Sequence, residues 1–345
     1  MTTDRGAVLS APGVVALEEI ALDDPGPGEV RVRITASGVC HSDLHIVEND
    51  GWGHPLPVLL GHEGTGVVEE IGEGVEQLQP GDTVVLIWRA PCGECAPCLR
   101  GEPRRCLKPL RARRRLRRTN GDVLTQALLC GTFATRTNVH AGAAIKVPAQ
   151  LPAEQACLIG CAVATGVGSV LHTARVWPGA RVAVIGCGAV GLSVIQGARI
   201  AGAAAIHAID VDERKLEQAR SFGATHTEAP EEADFVFDVV GAPQTFEQGL
   251  ALLAPGGTLT LIGLSAPDAH ATVELAAFFD KRSTVRVSHG GDHLPGEDFA
   301  KLAELALDGR LDLAGMVSRV ISLDDVMDAF DDMKRGDVIR SVIRL

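Results

Sequence analysis

The stretch RVAVIGCGAVG, residues 181–191, decides the fold of the C-terminal half of this chain. RVAVIG is a continuous apolar run typical of a buried parallel strand, and AVGLSVIQGARIAGA after it has the spacing of a helix. Between them Gly186, Gly188 and Gly191 stand at G-x-G-x-x-G spacing. Such glycines permit a tight turn, close approach of the backbone to a pyrophosphate, and close helix–strand packing. The stretch therefore predicts a strand–turn–helix unit that binds a dinucleotide.

A carboxylate after the next strand indicates which dinucleotide. Asp210 ends the strand AIHAID, about 20 residues after the last glycine, where a carboxylate can bind the ribose hydroxyls. Because this carboxylate would repel a 2′-phosphate, we predict NAD rather than NADP. Lys215 is either a further ribose contact or an exposed helix lysine. The competing interpretation is a doubly wound domain with ordinary turn glycines and no nucleotide.

Strand and helix patterns alternate from about residue 180 to residue 287, which predicts a parallel sheet covered on both faces. Before residue 150, short alternating strands are separated by glycine and proline turns, which predicts an antiparallel, barrel-like domain. The tail holds two amphipathic helical stretches and a final strand, SVIRL. We predict an α/β protein with a β-rich domain at 1–163, a nucleotide domain at 164–287, and a tail at 288–345 that returns to the first domain.

Composition excludes several classes of partner. The net charge is −12, aromatic residues are 3% and tyrosine is absent, so a broad nucleic-acid surface is not expected. No apolar run approaches the roughly 18 residues that span a bilayer. The N-terminus lacks a basic segment followed by an apolar core, so it does not resemble a signal peptide. We expect a cytoplasmic protein without a membrane or nucleic-acid partner.

Nine cysteines in a reducing compartment favour metal binding or catalysis over disulfide bonds. GVCHSDLH supplies Cys40, LLGHEGTG supplies His62 and Glu63, and IGCAVATG supplies Cys161. Taken singly, each has an ordinary explanation, since a lone buried cysteine is usually a small apolar residue. Together, two thiolates and an imidazole can form a three-ligand zinc site with an open fourth position, the arrangement of catalytic zinc.

A second group of cysteines can complete a metal site without an open coordination position. PCGECAPCLRGEPRRC, residues 91–106, has C-x2-C-x2-C-x7-C spacing and places four thiols on one loop: Cys92, Cys95, Cys98 and Cys106. Four thiolates complete a tetrahedral zinc site and leave no position for a substrate, so this site is structural. The run RARRRLRR, from Arg111 to Arg118, raises the alternative of a nucleic-acid zinc module, which the acidic chain disfavours. We interpret the run as a solvated surface segment, with an anionic substrate or a partner chain as the alternative.

In this order, the motifs resemble the zinc-dependent medium-chain alcohol dehydrogenase family over almost the whole chain. GHEGTGVVEEIGEGV is the most specific of them, because it combines a metal histidine, a neighbouring glutamate and the family's glycine spacing. The resemblance implies a GroES-like catalytic domain, closed by the C-terminal tail, with an inserted Rossmann domain. It also implies two zinc ions per chain and NAD as cofactors.

The resemblance assigns roles residue by residue. It implies that Cys40, His62 and Cys161 bind the catalytic zinc, that Glu63 can approach the metal, and that Asp43 orients the ligating imidazole. Ser42 would take the proton of the alcohol and His45 would pass it to solvent. The implied cofactor contacts are His41 and Arg340 on the pyrophosphate and Thr165 on the nicotinamide.

The implied function is reversible oxidation of an alcohol to an aldehyde or ketone with hydride transfer to NAD, by a homodimer or possible tetramer. Within the family, WRAPCGECAPC and GGDHLPGEDF resemble the thiol-dependent formaldehyde dehydrogenases, nearest the mycothiol type. The absence of tyrosine and the short link THTEAPEEADFVFD depart from that branch. The alternatives are an S-(hydroxymethyl)thiol dehydrogenase and a non-catalytic zinc- and nucleotide-binding protein. The presence of every ligand and relay residue disfavours the non-catalytic protein.

Overall fold

The computed structural model describes residues 2–113 and 116–345. The chain forms two compact units, Met1–Cys161 with Leu294–Leu345, and Ala162–His293. We call them the first and the second unit and describe each by itself.

The strands follow in chain order. The N-terminal part of the first unit contains β1 (Thr2–Ala11), β2 (Val14–Leu22), β3 (Glu29–Gly38), β4 (Val58–Leu59), β5 (Glu63–Ile71), β6 (Thr83–Leu86), β7 (Leu116–Arg118), β8 (Thr125–Gln126), β9 (Arg136–His140) and β10 (Ala144–Lys146). The second unit contains β11 (Arg181–Ile185), β12 (Ala205–Ile209), β13 (Ala233–Asp238), β14 (Leu253–Leu261) and β15 (Thr284–Val287). The tail adds β16 (Val317–Ile321) and β17 (Arg340–Arg344) to the first unit.

The helices lie between these strands in chain order. They are α1 (His41–Glu48), α2 (Ala96–Leu99), α3 (Ala153–Leu158), α4 (Ala164–Gly168), α5 (Ala189–Ile200), α6 (Glu213–Ser221), α7 (Pro243–Ala251), α8 (Leu275–Lys281), α9 (Pro295–Leu307) and α10 (Val326–Arg335). Single 3₁₀ turns cover Asp50–Gly53, Pro103–Arg105, Ala127–Leu129, Ala141–Ala143, Gly290–Asp292 and Leu323–Asp325. Two π-helical segments, Ile159–Val163 and Ser169–Ala174, continue α3 and α4.

The first unit is built on two sheets. One has the strand order β7-β2-β1-β4-β8, and the other has β10-β6-β5-β3-β17-β16 with β9 also paired to β3. All pairs are antiparallel except β4–β8 and β16–β17. The tail strand β17 pairs with β3 at Gly38, next to the start of α1, so the end of the chain closes the sheet beside that helix. The predicted β-rich GroES-like domain is confirmed.

The second unit is a parallel sheet in the order β12-β11-β13-β14-β15, and the predicted doubly wound fold is confirmed. β11 is RVAVI, of which all but the first residue are buried, as expected of a strand covered on both faces. In the common strand order 3-2-1-4-5-6, the third strand lies beside the second and forms the edge of the sheet. Here the short link after α6 makes only an isolated bridge to β12, between His207 and His226, so β12 lies at the edge of the sheet.

One helical stretch is long and apolar enough to cross a bilayer, although the sequence contains no unbroken apolar run of that length. Ala153–Ala174 is 22 residues long and its most apolar 18-residue window has mean hydropathy 1.6. Its most apolar window is 78% buried inside the protein. That burial is typical of a core helix of a soluble protein.

The interpretation of the arginine run as a solvated segment is wrong at its C-terminal end. Leu116 is fully buried, and Leu116–Arg118 forms β7 on β2. The guanidinium of Arg118 donates to Glu18 through Nε (2.7 Å) and Nη2, and Nη2 also donates to Ser10 Oγ (3.0 Å). These bonds hold the pKa of Glu18 below its usual range. Arg111 and Arg113 are exposed, whereas residues 114 and 115 lie outside the described residues.

Candidate active site and metal centres

The first candidate metal ligand, Cys40, is positioned by the start of α1. Cys40 is the N-cap residue of this helix, in an extended conformation after β3. Its backbone N–H donates to Asp43 Oδ2 (3.2 Å), three residues into the helix. The Asp43 carboxylate therefore holds the backbone at the start of α1 through Oδ2. Through Oδ1 it contacts the second candidate ligand, His62.

That second ligand, His62, lies between β4 and β5. Gly61 before it has φ +91°, and a Cβ there would lie 2.5 Å from the backbone nitrogen of Phe133, so this turn requires glycine. His62 is fully buried, with Nδ1 3.0 Å from Asp43 Oδ1, which also accepts the Gly61 N–H (3.1 Å). When Nδ1 donates to Asp43, Nε2 presents a lone pair. Nε2 is buried and has no hydrogen-bond partner among the described residues, as expected of a metal ligand.

Four donor groups converge at this point of the first unit. Donor atoms of Cys40, His62, Glu63 and Cys161 all lie within 4.8 Å of one another. A hydrogen bond from Cys161 lowers the pKa of Cys40, and the same bond raises the pKa of Cys161. Burial lowers the pKa of His62, but Asp43 and Cys40 outweigh it and raise this pKa well above its usual value. The two thiol groups and the imidazole therefore share protons through short contacts. This donor set fits Zn²⁺, which displaces such protons when it binds.

Arg340 completes the buried cluster from the tail strand. Its Nη2 donates to Glu63 Oε1 (3.1 Å) and its Nη1 donates to the Val39 carbonyl (2.9 Å). Burial raises the pKa of Glu63 to about 7, although Arg340 opposes this shift. A Cβ at position 38 would lie 2.2 Å from Glu63 Oε2, so Gly38 provides the space for this carboxylate. The sequence did not show this ion pair; the predicted pyrophosphate contact of Arg340 stays a prediction.

The predicted proton-relay residues lie on α1. Ser42 and His45 are half-buried, and His41 is exposed at the first residue of the helix. The ring of His45 lies 5.7 Å from the ring of Trp52. Trp52 was not identified from the sequence. It is one of only three tryptophans in a chain poor in aromatic residues, and it lies between Cys40 and His62, so its position could have indicated a residue near the site.

The four cysteines of the 91–106 loop form a second cluster. Their donor atoms lie within 4.8 Å of one another, with Sγ–Sγ distances of 3.5 Å (Cys95–Cys98) and 3.6 Å (Cys92–Cys106). Backbone N–H groups point at the sulfurs: the Leu107 N–H donates to Cys95 Sγ (3.4 Å) and lowers the pKa of Cys95 to about 6. Such donors stabilise thiolates. The cluster therefore fits a closed four-thiolate zinc site.

The dinucleotide residues lie in the second unit at the carboxyl ends of β11 and β12. Gly186 has φ +94°, and a Cβ on Gly191 would lie 1.9 Å from the Gly186 carbonyl oxygen, so α5 packs directly on the turn. A Cβ on Gly188 would meet open space, at the N-terminus of α5. Asp210 accepts the Cys187 N–H (2.7 Å) and the Asp212 N–H (3.0 Å). This turn and helix N-terminus fit a pyrophosphate.

The remaining predicted cofactor residues lie in the same unit. Thr165 lies in α4, half-buried, and its carbonyl accepts a bond from Ser169 Oγ (2.6 Å). Lys215 is half-buried in the first turn of α6, the helix that follows Asp210.

Comparison with known proteins agrees with this geometry. Residues 26–149 match the family of the alcohol dehydrogenase GroES-like domain, and residues 189–308 match the zinc-binding dehydrogenase family. The chain is 36% identical to S-(hydroxymethyl)glutathione dehydrogenase of Escherichia coli O157:H7, with 99% of both chains covered. The chain belongs to the zinc-dependent medium-chain alcohol dehydrogenase family.

Solved structures of other family members superpose closely. An alcohol dehydrogenase zinc-binding domain protein from Burkholderia ambifaria has a TM-score of 0.94 at 31% identity, covering 100% of this chain and 99% of that one. Benzyl alcohol dehydrogenase from Acinetobacter calcoaceticus has a TM-score of 0.92 at 27% identity, with 100% of both chains covered.

As a member of this family, the protein is an NAD-dependent zinc alcohol dehydrogenase that acts on a small molecule. It oxidises an alcohol reversibly to an aldehyde or ketone, and its cofactors are zinc and NAD. The two clusters supply one catalytic and one structural zinc site per chain.

Proposed function

We propose that Cys40, His62 and Cys161 hold the catalytic zinc, with Glu63 beside it. The observation that carries this proposal is that the buried Nε2 of His62 has no hydrogen-bond partner among the described residues, in a cluster whose four donor groups lie within 4.8 Å of one another. When bound, zinc supplies a Lewis acid that lowers the pKa of an alcohol hydroxyl, and NAD supplies the hydride acceptor. Asp43 holds the imidazole in the tautomer that presents Nε2.

The proton of the alcohol leaves through residues of α1 in this proposal. The Ser42 hydroxyl would accept it while releasing its own proton toward His45, three residues later on the same helix, and His45 would release a proton to solvent. Both side chains are half-buried, which suits transfer from a closed site to water. Arg340 holds the Glu63 carboxylate in place beside the proposed zinc ligands.

The cofactor contacts are proposed for eight residues: His41, Thr165, Gly186, Gly188, Gly191, Asp210, Lys215 and Arg340. Support is firmest in the second unit, where the glycine turn, the N-terminus of α5 and Asp210 lie together. His41 is exposed, and Arg340 is already engaged with Glu63. The functional domain bounds of 1–163, 164–287 and 288–345 are also proposals.

Replacing Asp210 with serine is expected to raise the KM for NAD by about 10- to 100-fold, because a hydrogen bond to a charged group contributes roughly 1.5–3 kcal/mol. Activity with NADP should rise, because the repulsion of its 2′-phosphate is removed. Steady-state kinetics with both cofactors measures this. Asp212→Ser is the matched control, since serine can still cap α6. Equal effects in both variants would contradict a specific role for Asp210.

The substrate class has two candidates. We propose an alcohol of open range first and an S-(hydroxymethyl)thiol second, which the S-(hydroxymethyl)glutathione dehydrogenases among the relatives favour. The test is NAD⁺ reduction with a series of alcohols, and with formaldehyde alone, with glutathione and with mycothiol. Turnover of alcohols supports the first candidate. Turnover confined to formaldehyde plus one thiol supports the second, and no turnover with any of them contradicts both.

We propose a homodimer formed through the edge of the second unit's sheet. β15 is the edge strand and is exposed along its length, so it can pair with a second copy. Val287 on β15 is 66% exposed and Phe279 on α8 is 81% exposed. Large apolar side chains exposed on and near an edge strand are candidates for an interface.

The double variant Phe279→Asp/Val287→Asp is expected to be monomeric, because a buried unpaired carboxylate costs several kcal/mol at an interface. Light scattering after size exclusion measures the mass. Val14→Asp, an exposed apolar position in the first unit, is the control. A dimer that persists in the double variant would contradict the sheet-edge interface.

We propose a cytoplasmic location. All nine cysteines are free of disulfide bonds in the structure. Two thiolate zinc sites require reduced thiols, which the cytoplasm maintains.

A further inference from the structure

The turn after α1 has a strained backbone and lies against the histidine proposed for the relay. Its residues 50–53 all have positive φ, at +48°, +77°, +46° and +79°, and two of them, Asp50 and Trp52, are not glycine. Such a backbone is unfavourable for a residue with a side chain and persists only where surrounding contacts hold it. The ring of Trp52 lies 5.7 Å from the ring of His45, within the range of aromatic pairs. The turn therefore places Trp52 beside His45.

The imidazole of His54 closes this turn. Its Nδ1 is 3.0 Å from the Gly51 carbonyl oxygen, and its Nε2 is 3.1 Å from the backbone nitrogen of Leu128. A carbonyl can only accept and a backbone N–H can only donate, so Nδ1 carries the proton and Nε2 accepts. The two hydrogen bonds together require the neutral ring in one tautomer. We call His54 with these two bonds the His54 clamp.

The segment at the other end of the His54 clamp is also strained and borders the metal site. Leu128 and Leu129 have φ values of +46° and +64°. Shortly after them, the Thr132 N–H donates to the Gly61 carbonyl (2.9 Å), so this segment runs beside the residue that precedes His62. The clamp therefore ties the turn after α1 to chain that supports a proposed zinc ligand.

The turn is joined to α1 at the carbonyl of His45. The backbone N–H and the Nδ2 of Asn49 each donate to this carbonyl at 3.0 Å. The Trp52 N–H in turn donates to the Asn49 carbonyl (2.8 Å). A displacement of the turn therefore reaches His45 through the backbone at the end of α1 as well as through the Trp52 ring.

We propose that His54 is a positioning residue for proton transfer. The His54 clamp holds Trp52 against His45 and so keeps the His45 ring in the orientation that receives the proton from Ser42. This inference rests on the proposed function, in which Ser42 and His45 form the relay. His54 acts through Trp52 and takes no proton itself. Acid–base groups act only within hydrogen-bond reach of the proton, so a small displacement of His45 slows the transfer.

Two substitutions separate the two ends of the clamp. The side-chain oxygen in His54→Gln can take the place of Nε2 and accept from Leu128, whereas the side-chain nitrogen in His54→Asn can replace only Nδ1. We expect His54→Asn to slow single-turnover NADH formation about tenfold or more, because part of the 10²–10⁴-fold contribution of general acid–base catalysis is lost. His54→Gln should stay near the wild-type rate, and the KM for NAD should not change in either variant.

A solvent isotope effect distinguishes a misplaced relay from a general loss of structure. Where proton transfer limits the rate, replacing H₂O with D₂O slows the single turnover, so the D₂O effect should be larger in His54→Asn than in the wild type. Trp52→Leu removes the ring contact directly and should show the same loss of rate and the same larger D₂O effect. The double variant Trp52→Leu/His54→Asn should be no slower than the slower single variant, because both changes act through one contact.

His140→Phe is the matched control. His140 is also half-buried in the first unit, and its Nδ1 accepts the backbone N–H of Gly142 (3.0 Å), so its loss also removes a turn-stabilising imidazole. This variant should keep the wild-type rate and D₂O effect. Zinc content near two per chain shows that each variant is folded.

The His45→Ala variant separates failure of the relay from failure of the clamp. A normal rate in His45→Ala contradicts the proposed relay and removes the role of His54 with it. A slow His45→Ala with normal rates in both His54→Asn and Trp52→Leu overturns the inference and leaves the relay in place. A slow His54→Asn without a larger D₂O effect also overturns it. Equal losses in His54→Gln and His54→Asn overturn the assignment of the clamp to the Leu128 bond.

Discussion

The Cys40→Ala variant is expected to form no measurable NADH from a primary alcohol while it still binds NADH. Cys40 is the N-cap of α1 and shares a buried cluster with His62 and Cys161. Removing Cys40 takes away one of the two thiolates proposed to bind the catalytic zinc and to balance its charge, so zinc binding and its Lewis-acid chemistry should be lost or strongly weakened. Lewis-acid activation contributes several kcal/mol to the transition state, and each ~1.4 kcal/mol is tenfold, so the loss is expected to be about 10³-fold or more.

Two measurements decide the outcome. Alcohol-dependent absorbance of NADH gives turnover, and fluorescence titration with NADH gives binding to the second unit. Cys130→Ala is the matched control, because Cys130 is also fully buried but belongs to neither cluster. Turnover that persists in Cys40→Ala would remove this cluster from the mechanism. Loss of NADH binding as well would indicate a general folding defect instead.

The nucleotide fold was predictable because its determinants are local. The strand RVAVI, the glycine turn and the helix after it occupy one short stretch, and the structure forms β11 and α5 from those residues. The four-cysteine loop was predictable for the same reason, since its ligands lie on one segment. The structure brings all four sulfurs together.

The catalytic cluster was not derivable from spacing. Cys40, His62 and Cys161 come from three distant segments, so only the family resemblance predicted that they meet. The ion pair between Arg340 and Glu63 joins residues 277 positions apart and was not predicted at all. The ion pair forms because β17 pairs with the C-terminal end of β3, at Gly38, just before the start of α1.

Two strands were missed because each depends on its partner strand. The three central residues of β16 are exposed, so its sequence VSRVI shows no buried face, and its pairing with β17 defines it. β7 lies within the arginine run, where a single buried leucine was not enough to indicate a strand. Its position follows from pairing with β2 and from the Arg118–Glu18 ion pair.

The Cys98→Ser variant is expected to lose one of two zinc ions per chain and to unfold at a lower temperature. Cys98 Sγ lies 3.5 Å from Cys95 Sγ in a loop whose other contacts are mainly local turns. Structural zinc contributes roughly 10–16 kcal/mol of binding free energy in small zinc domains, which is coupled directly to folding. A loss of only about 3 kcal/mol of this lowers the Tm by ~6–12 °C in a chain of 150–250 residues, and somewhat less in a longer one.

Catalysis should respond differently from stability in this variant, because the closed site has no position for substrate. At a temperature well below the Tm, NADH formation by Cys98→Ser is expected to stay within about a few-fold of the wild type, since substitutions that do not touch the reacting groups remove no transition-state interaction. Metal analysis, thermal unfolding and turnover are measured on one preparation, with Cys130→Ala as control. A wild-type content near one zinc, unchanged in Cys98→Ser, would contradict the two-site structure. Loss of turnover at low temperature would instead place the loop in catalysis, and the closed four-sulfur geometry argues against that result.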